Sequence, residues 1–352
     1  MRIIGLMSGT SLDGVDAALL ETDGEFLATP GPALTHPFSP ALRAALRSLL
    51  DRALNLPPDD PLLLETENAL TLHHVEAIRI LNEPADLIGF HGQTILHRPD
   101  QKRTWQIGNA QLLAQETKTR VAYDFRSADV AAGGQGAPFV PAYHAALAAN
   151  LDKPLVILNI GGVANITYIG AEGTLHACDT GPGNALLDDL CQRHLGVPMD
   201  RDGAFAAAGT PDEPTLTALL AHPFFARPAP KSLDRQDFAH ALPLIEALSL
   251  PDAAATLAAF TARAALATPL PALPKRLLVT GGGRHNPAIM QALRAASPCP
   301  VAPVEAAGWH GDALEAQCFA YLAARVLRGL PLSFPGTTGV PHPTPGGRIT
   351  HQ

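Results

Sequence analysis

The sequence predicts an α/β fold made of two similar domains, each of which opens with a strand hairpin. At the start of the chain, an apolar segment runs through the polar turn GLMSGTSLDGVD, residues 5–16, into a second apolar segment. The pattern recurs after residue 153, where the apolar run PLVILNI ends at Gly161 and Gly162 and another apolar segment follows. A chain of 352 residues suits two domains of about 150–200 residues each. We therefore expect two related domains that face one cleft, residues 1–137 and 138–352, with the C-terminal tail as a candidate to pack back on the first.

The composition excludes several classes of protein. Hydrophobic residues make up 47% of the chain and charged residues 16%, which is enough to build two large cores. The net charge of −8 argues against a nucleic-acid partner, which would need a basic face. No run of eighteen apolar residues occurs, so we expect no membrane partner. The four cysteines have no paired spacing and are expected to be reduced thiols of a cytoplasmic protein: Cys178, Cys191, Cys299 and Cys318.

Strand and helix signals alternate through the first half of the chain. After the hairpin, residues 25–34 are predicted to form a third neighbouring strand, and helices are predicted near residues 39–52 and 61–81. The segment DLIGF, residues 86–90, is predicted to be a buried strand that ends at HGQT. Short strands at 104–107 and 121–124 then precede a glycine-rich loop at 129–138.

The second half opens with the second hairpin, at residues 154–169. A third strand is predicted at 175–178, followed by the turn DTGPGN and a helix over 185–195. Helices dominate until residue 266, and a buried strand at 276–280 then runs into Gly281, Gly282 and Gly283. A helix opening near Pro287 and a last long helix over 311–327 complete the α/β pattern.

The first turn carries the residue types that a phosphate-binding loop needs. The four residues SGTS, 8–11, are small, and their backbone N–H groups can converge on phosphate oxygens. Asp13 and Asp16 follow at once, in reach of a metal ion or a polar substrate. The sequence contains neither the G-x-x-x-x-G-K-[ST] phosphate loop nor a G-x-S-x-G nucleophile elbow. A nucleotide-binding hairpin is therefore the leading interpretation of this turn.

Two side chains at strand ends are candidates for chemistry. Asp179 follows a predicted strand and precedes a glycine-proline turn, where a carboxylate serves either catalysis or the N-cap of the next helix. His91 ends a buried strand and is either a histidine at the edge of the core or a substrate contact. The sequence leaves both alternatives open.

Long motifs in one order carry a family resemblance. They are GLMSGTSLDGVD at 5–16, GFHGQTILHRP at 89–99, TWQIGNAQLLA at 104–114, DFRSADVAAGGQGAP at 124–138, LNIGGVANIT at 158–167, DTGPGN at 179–184, PKSLDRQDF at 230–238, VTGGGRHNP at 279–287 and GDALEAQCFAYLA at 311–323. On these motifs the chain resembles the anhydro-N-acetylmuramic acid kinase family, within the sugar kinase, chaperone and actin superfamily. The resemblance implies two ribonuclease H-like domains of the actin-like ATPase fold, flanking a central cleft.

The resemblance also implies roles for individual residues. Asp179 matches the catalytic base. The implied ATP contacts are Gly9, Thr10, Ser11, Leu12, Asp13, Gly14, Val15 and Asp16 in the first turn, Gly161 and Gly162 in the second, and Gly281, Gly282 and Gly283 on the adenosine side. The residues implied to contact the sugar are His91, Gln93, Thr94, Gly181, Asn184 and Glu315. Most members of the superfamily carry an aspartate at the start of the first turn, where this chain has Met7 and Ser8, so the choice of Asp13 or Asp16 as the metal residue stays open.

The resemblance implies an enzyme of peptidoglycan recycling that uses ATP and Mg²⁺. It also implies that the protein is a cytoplasmic homodimer. Water opens the 1,6-anhydro ring of anhydro-N-acetylmuramic acid while O6 receives the γ-phosphoryl group. An ordinary kinase that phosphorylates a free hydroxyl is the nearest alternative. A non-enzymatic actin-like or chaperone-like ATP-binding protein is a second one, although the chain has no extra length for a peptide-binding domain.

Overall fold

The structure is a computed structural model that describes residues 1–9, 11–233, 238 and 241–351. Its strands are β1 Arg2–Ser8, β2 Gly14–Thr22, β3 Ala28–Pro37, β4 Leu87–Arg98, β5 Arg103–Ile107, β6 Val121–Tyr123, β7 Leu155–Ile160, β8 Val163–Ile169, β9 Leu175–Pro182, β10 Leu277–Thr280, β11 Val301–Pro303 and β12 Arg348–Ile349. Its α-helices are α1 Pro40–Arg52, α2 Pro61–Leu81, α3 Ala110–Thr117, α4 Ser127–Ala131, α5 Val140–Leu147, α6 Ala185–Leu195, α7 Ala204–Ala207, α8 Glu213–Leu220, α9 Ala241–Ile245, α10 Leu250–Leu266, α11 Pro287–Ala296, α12 Leu314–Leu327 and α13 Pro335–Thr338.

The first sheet is built around the N-terminal hairpin. Its strand order is β12-β6-β4-β1-β2-β3, and β5 pairs with the second half of β4. Strands β1, β2 and β3 pair antiparallel, whereas β4 runs parallel to both β1 and β6. The three neighbouring strands at the start of the chain are therefore confirmed.

The second sheet repeats this arrangement. Its strand order is β11-β10-β7-β8-β9, in which β7, β8 and β9 form an antiparallel meander and β10 and β11 lie parallel to β7. A meander of three strands followed by two parallel strands on the far side of the first is the order of a ribonuclease H-like sheet. Both sheets share it, which confirms the predicted fold class.

Contacts divide the chain into two compact units. The first unit comprises Met1–Asn150 and Ala313–Gln352, and the second comprises Leu151–Asp312. The division at residue 150 lies downstream of the domain boundary predicted at 137, because α5 packs in the first unit, where the Tyr143 hydroxyl donates to Gln317 Oε1 on α12 at 2.9 Å. The C-terminal tail also belongs to the first unit, since β12 pairs antiparallel with β6.

Close packing of α12 explains two glycines in the first sheet. A Cβ atom on Gly5 would overlap the carbonyl oxygen of Ala316, and one on Gly89 would overlap that of Phe319. The alanine-rich helix can therefore approach the parallel pair β1 and β4 closely only where the strands lack side chains. This contact fixes the position of α12, and with it Glu315, against the first sheet.

One strand is longer than the sequence predicts. The predicted end of the buried strand at residue 90 is wrong, because β4 continues through HGQT to Arg98. Gly92 adopts a φ of +72°, which bends the strand; Gln93 pairs with both β1 and β5, and the residues after it pair with β5 alone. The predicted loop at 129–138 also begins later, since α4 extends to Ala131.

Within the described ranges, no helix has the length and apolar character needed to cross a membrane.

Candidate functional site

The first turn is held rigid by two buried residues. Leu12 is fully buried at a φ of +58°, and its N–H donates to the Gly9 carbonyl at 3.1 Å. The buried Ser8 hydroxyl donates to the Gly92 carbonyl at 3.1 Å, which ties the turn to the bend in β4. Val15 is also fully buried, so neither its backbone nor its side chain has surface open to a ligand. Thr10 lies outside the described residues.

The two acidic candidates of this turn differ in environment. Asp13 is exposed, and its carboxylate lies 3.7 Å from the Arg43 guanidinium. Asp16 is half-buried on β2, and its Oδ1 accepts a hydrogen bond of 2.5 Å from the Thr35 hydroxyl. Ser11 is exposed beside them. The structure therefore fixes Asp16 and leaves Asp13 at the surface.

In the second unit, Asn184 connects the glycine turns. Its N–H donates to the Gly161 carbonyl at 2.7 Å, and its side-chain amide donates to the Ile160 carbonyl at 3.3 Å. A Cβ atom on Gly282 would lie 3.6 Å from the same amide, and one on Gly283 would lie 3.1 Å from its oxygen. The second turn, the third glycine element and the start of α6 are therefore in contact around this one side chain.

Arg284 holds the third glycine element in place. This side chain is almost completely buried, and its Nη1 donates to the Gly281 carbonyl at 2.9 Å. The same guanidinium forms ion pairs with Glu305 at 2.9 Å and with Asp312 at 2.8 Å. A buried guanidinium whose three nitrogens each contact the protein fixes the backbone to which it donates.

The predicted nucleotide-contacting glycines fall into two groups. Added Cβ atoms would clash with the protein at Gly14, Gly281 and Gly283, so the fold itself requires glycine there. At four others a Cβ would meet nothing closer than 3.6 Å and the φ angle is not left-handed, so their neighbours would tolerate a side chain: Gly9, Gly161, Gly162 and Gly282. An approaching ligand is a physical reason for a glycine at such positions.

Asp179 is half-buried, and the pKa of its carboxylate is raised. Its Oδ2 accepts a hydrogen bond of 2.8 Å from the Leu233 N–H, and its own N–H donates to the Lys231 carbonyl at 2.9 Å. Burial raises the pKa of Asp179 to about 6, although the Leu233 hydrogen bond works in the opposite direction. The N-cap of α6 is Asn184, so the alternative role of Asp179 as that helix's cap is wrong. A carboxylate with a pKa near neutrality is suited to proton transfer.

His91 is engaged by the protein on both ring nitrogens. Arg126 Nε donates to His91 Nε2 at 2.9 Å, so Nδ1 carries the proton and donates to the Gly92 carbonyl at 2.8 Å. Burial, and then the Arg126 charge, lower the pKa of His91 well below its usual value, and the ring packs on Phe319 with 4.5 Å between centroids. The structure thus places His91 as a neutral side chain that orients Arg126.

The other predicted sugar contacts of β4 lie next to His91. Gln93 is fully buried, and its amide donates to the Thr94 carbonyl at 3.3 Å. Thr94 is half-buried, and its hydroxyl accepts from the Gln106 amide on β5 at 3.1 Å. A hollow of about 260 Å³ opens at His91 and not at Gln93 or Thr94, and its lining includes His91, Gly92, Gln106, Trp105, Tyr123 and Asp124.

Glu315 forms an electrostatic group with two residues of the same unit. Glu315 is exposed to solvent, although protein atoms around its carboxylate desolvate it in part. This partial desolvation raises the pKa of Glu315, the charge of Asp16 raises it further, and the Arg126 guanidinium lowers it. The first unit therefore brings Asp16, Glu315, Arg126 and His91 into one neighbourhood.

Gly181 has a different surrounding from the other predicted contacts. It is buried at a φ of +149°, and a Cβ there would lie 3.0 Å from Ala264 and 3.3 Å from the Phe225 ring. This packing within the core of the second unit accounts for its glycine.

The sequence alone did not identify three residues that hold predicted site residues in place: Arg126, Lys231 and Arg284. Each lies inside a motif of the sequence, but the spacing of the motif does not reveal its hydrogen-bond partner. In the part of the chain that the structure describes, no cluster of three or more His, Cys, Asp or Glu side chains could hold a metal ion by itself.

Two ribonuclease H-like sheets in one chain, each with a glycine-containing turn in its hairpin, define the actin-like ATPase class of folds. The model of one family, described as anhydro-N-acetylmuramic acid kinase, matches residues 1–352. The protein of that name from Acidiphilium cryptum is 61% identical over 350 residues, covering 99% of this chain and 98% of the relative. The one from Gluconobacter oxydans is 54% identical over 356 residues, covering 98% of each. The chain therefore belongs to the anhydro-N-acetylmuramic acid kinase family.

Two solved structures show lower similarity to the chain. A ROK family glucokinase from Streptomyces griseus in complex with glucose and AMPPNP has a TM-score of 0.42 at 11% identity, covering 92% of this chain and 100% of that one. Component A of (R)-2-hydroxyglutaryl-CoA dehydratase from Acidaminococcus fermentans has a TM-score of 0.45 at 11% identity, covering 92% and 99%.

Proposed function

We propose that this chain uses ATP and water to convert 1,6-anhydro-N-acetylmuramic acid into N-acetylmuramic acid 6-phosphate and ADP, in the recycling of peptidoglycan. The single observation that carries the proposal is Asp179, a fixed carboxylate whose pKa is raised to about 6. Such a group is ionised at neutral pH and basic enough to accept a proton from water.

The reaction needs one protein carboxylate instead of two. Ordinary glycoside hydrolysis uses a base for the water and an acid for the leaving oxygen. Here the leaving oxygen is O6 of the sugar itself, and the transferring phosphoryl group bonds to O6 as its bond to C1 breaks. The water oxygen bonds to C1, and Asp179 takes the proton. One ionised base therefore suffices.

Backbone N–H groups of the turns are proposed to bind the phosphates. The space that a side chain would occupy is free at four glycines of the turns: Gly9, Gly161, Gly162 and Gly282. This free space supports close approach of ATP oxygens to the backbone. Fixed N–H donors stabilise the charge of a transferring phosphoryl group without reorganisation. The contacts of Glu315, Gln93 and Thr94 with the sugar stay predictions of the same proposal.

We propose Asp16 as the residue that holds Mg²⁺, in preference to Asp13. Asp16 is fixed by Thr35 and lies close enough to Glu315 to raise its pKa, whereas Asp13 is exposed near Arg43. Mg²⁺ binds to one or two carboxylates together with phosphate oxygens, and when bound it neutralises charge on the phosphates.

Isotope labelling tests the proposal against a kinase that phosphorylates a free hydroxyl. The chain is incubated in ¹⁸O-water with the anhydro sugar, ATP and Mg²⁺, quenched early, and the 6-phosphosugar is analysed by mass spectrometry. We expect one label at the anomeric position for each turnover. Preformed N-acetylmuramic acid 6-phosphate, incubated for the same time, measures spontaneous exchange. Product without label beyond that control would contradict the proposed reaction.

Two further properties are proposed with the reaction. We expect a homodimer, which light scattering of the purified chain would detect as twice the mass of one chain. We also expect a cytoplasmic location, where ATP is available, and fractionation of cells expressing the full-length chain would test it.

A further inference from the structure

We propose that Lys231 is a positioning residue that sets both the orientation and the proton affinity of Asp179. The inference rests on the proposed role of Asp179 as the base, and it assigns a task to a side chain that does not touch the reacting atoms. Three features carry it: the sheet edge on which Asp179 lies, the segment that covers this edge, and the anchor of that segment.

Asp179 lies on an edge strand. In the second sheet, β9 pairs with β8 on one side, and residues 231–233 run along its other side. The Asp179 N–H donates to the Lys231 carbonyl at 2.9 Å, and the Leu233 N–H donates to Asp179 Oδ2 at 2.8 Å. The same three-residue segment therefore holds the backbone and the carboxylate of Asp179.

The Lys231 side chain anchors this segment to the core of the second unit. It is only 6% exposed, its ammonium donates to the Phe224 carbonyl at 3.2 Å, and it lies 4.4 Å from the centroid of the Phe224 ring. Phe224 is 2% exposed and packs edge-to-face on Phe225 and Phe238. The anchor is thus attached to a packed aromatic cluster.

Holding residues 231–233 with a buried ammonium costs the free energy of desolvating its charge. Burial lowers the pKa of Lys231, which reflects the cost of desolvating its charge, and an apolar side chain would fill the same space without it. Unlike an apolar side chain, the ammonium holds residues 231–233 in one orientation, because it donates a hydrogen bond and also lies over the Phe224 ring. The orientation of this segment sets the direction of the Leu233 N–H.

The Leu233 N–H opposes the effect of burial on Asp179. Burial favours the neutral acid, whereas a hydrogen bond from an N–H favours the carboxylate. The titratable group that adjoins Asp179 in the described chain is Cys178, and burial raises its thiol pKa to about 11, so it stays uncharged near neutral pH. When the anchor is lost, the segment can move, the hydrogen bond weakens, and the pKa of Asp179 rises.

The experiment compares pH profiles of kcat for the wild type, Lys231→Met, Lys231→Gln, Lys231→Arg and Lys275→Met. Lys275 is the matched control, because it is an exposed lysine of the same unit. For Lys231→Met and Lys231→Gln we expect the acidic limb to move up by about one pH unit, the equivalent of one hydrogen bond to a charged group. Lys231→Arg, which keeps a cation over the ring, and Lys275→Met should retain the wild-type limb.

The outcomes separate this inference from the proposed function. A uniform loss of kcat with an unshifted limb in Lys231→Met and Lys231→Gln would overturn it, and so would failure of both variants to fold by circular dichroism, since Lys231 would then serve the fold alone. If only Lys231→Met fails to fold, the limb of Lys231→Gln decides. A wild type that lacks the reaction, or lacks an acidic limb, would instead contradict the proposed function of Asp179.

Discussion

The hairpin turns of the two units occupy the same place in the same topology but have different chemistry. The first turn has fixed side-chain oxygens around it, with Ser8 tied to β4 and Asp16 tied to β3. The second turn consists of Gly161 and Gly162, and its carbonyls accept hydrogen bonds from the backbone N–H groups that precede α6. The two units thus share a strand order, but the first turn has carboxylates beside it and the second consists of backbone alone. The difference predicts that substitutions in the two turns have separable effects.

The largest expected effect is on stability, behind the second turn. A Cβ atom on Gly183 would overlap the Gly161 carbonyl, and the backbone there is buried. We expect Gly183→Ala to lower the free energy of unfolding by about 3 kcal/mol or more, as for severe overpacking. Urea denaturation followed by circular dichroism measures it. A midpoint equal to that of the wild type would show that the turn is not braced by this contact.

The next effect is on ATP binding and leaves the fold intact. Gly161→Ala has space for its Cβ, the nearest atom being 3.6 Å away, so the unfolding midpoint should not change. We expect the Kd for ATP, measured by calorimetry, to rise roughly ten- to hundredfold, because hydrogen bonds to a charged ligand contribute about 1.5–3 kcal/mol. Gly9→Ala gives the same test in the first turn. Unchanged affinity in both variants would remove these turns from the ATP site.

The pH profile of turnover tests the carboxylate of the second unit as a base. Asp179 acts as a base only when ionised, and its pKa is about 6 in the folded chain. We therefore expect kcat/KM for the sugar to rise with pH and level off above about pH 6, and to fall about tenfold for each pH unit below it, because kcat/KM reports the ionisation of the free enzyme. Initial rates at limiting sugar measure this limb. A rate independent of pH down to the limit of folding would exclude such a base.

The smallest effect distinguishes two carboxylates of the first turn. Asp16→Asn should raise the Mg²⁺ concentration required for half-maximal activity roughly tenfold, as for loss of a group that supports a metal. Asp13→Asn removes an exposed carboxylate next to Arg43 and serves as the matched control, with an unchanged requirement. Equal responses of the two variants would contradict the assignment of Asp16.

Periodicity and turn residues were sufficient to predict most elements of the fold. Helix α2 begins and ends at the predicted residues, because Asp60 caps its first turn and Asn82 ends it in the left-handed region. The continuation of β4 could not be predicted, because it depends on pairing with β5 and on the bend at Gly92. The three-residue strand β11 was missed because so short a segment has no period of its own.

The candidate site was predictable as a set of residues but not as a set of contacts. Motifs identified Asp179 and His91, yet the hydrogen bonds that define their states come from Leu233 and Arg126, which are distant in sequence. Local patterns cannot reveal such partners, because they are brought together only by the tertiary fold. The sequence also cannot distinguish between glycines. Only the structure shows that Gly161 has free space for a Cβ atom and that Gly283 packs against Ile160.

The role of Asp179 is tested most directly by the variant Asp179→Asn, which keeps the shape of the side chain and removes its basicity. We expect turnover of the anhydro sugar to fall by ~10²–10⁴, as for loss of a general base, while calorimetry shows unchanged Kd values for ATP and the sugar. Asp202→Asn, an exposed carboxylate of the same unit, is the matched control. Near-normal turnover by Asp179→Asn would contradict the proposed mechanism.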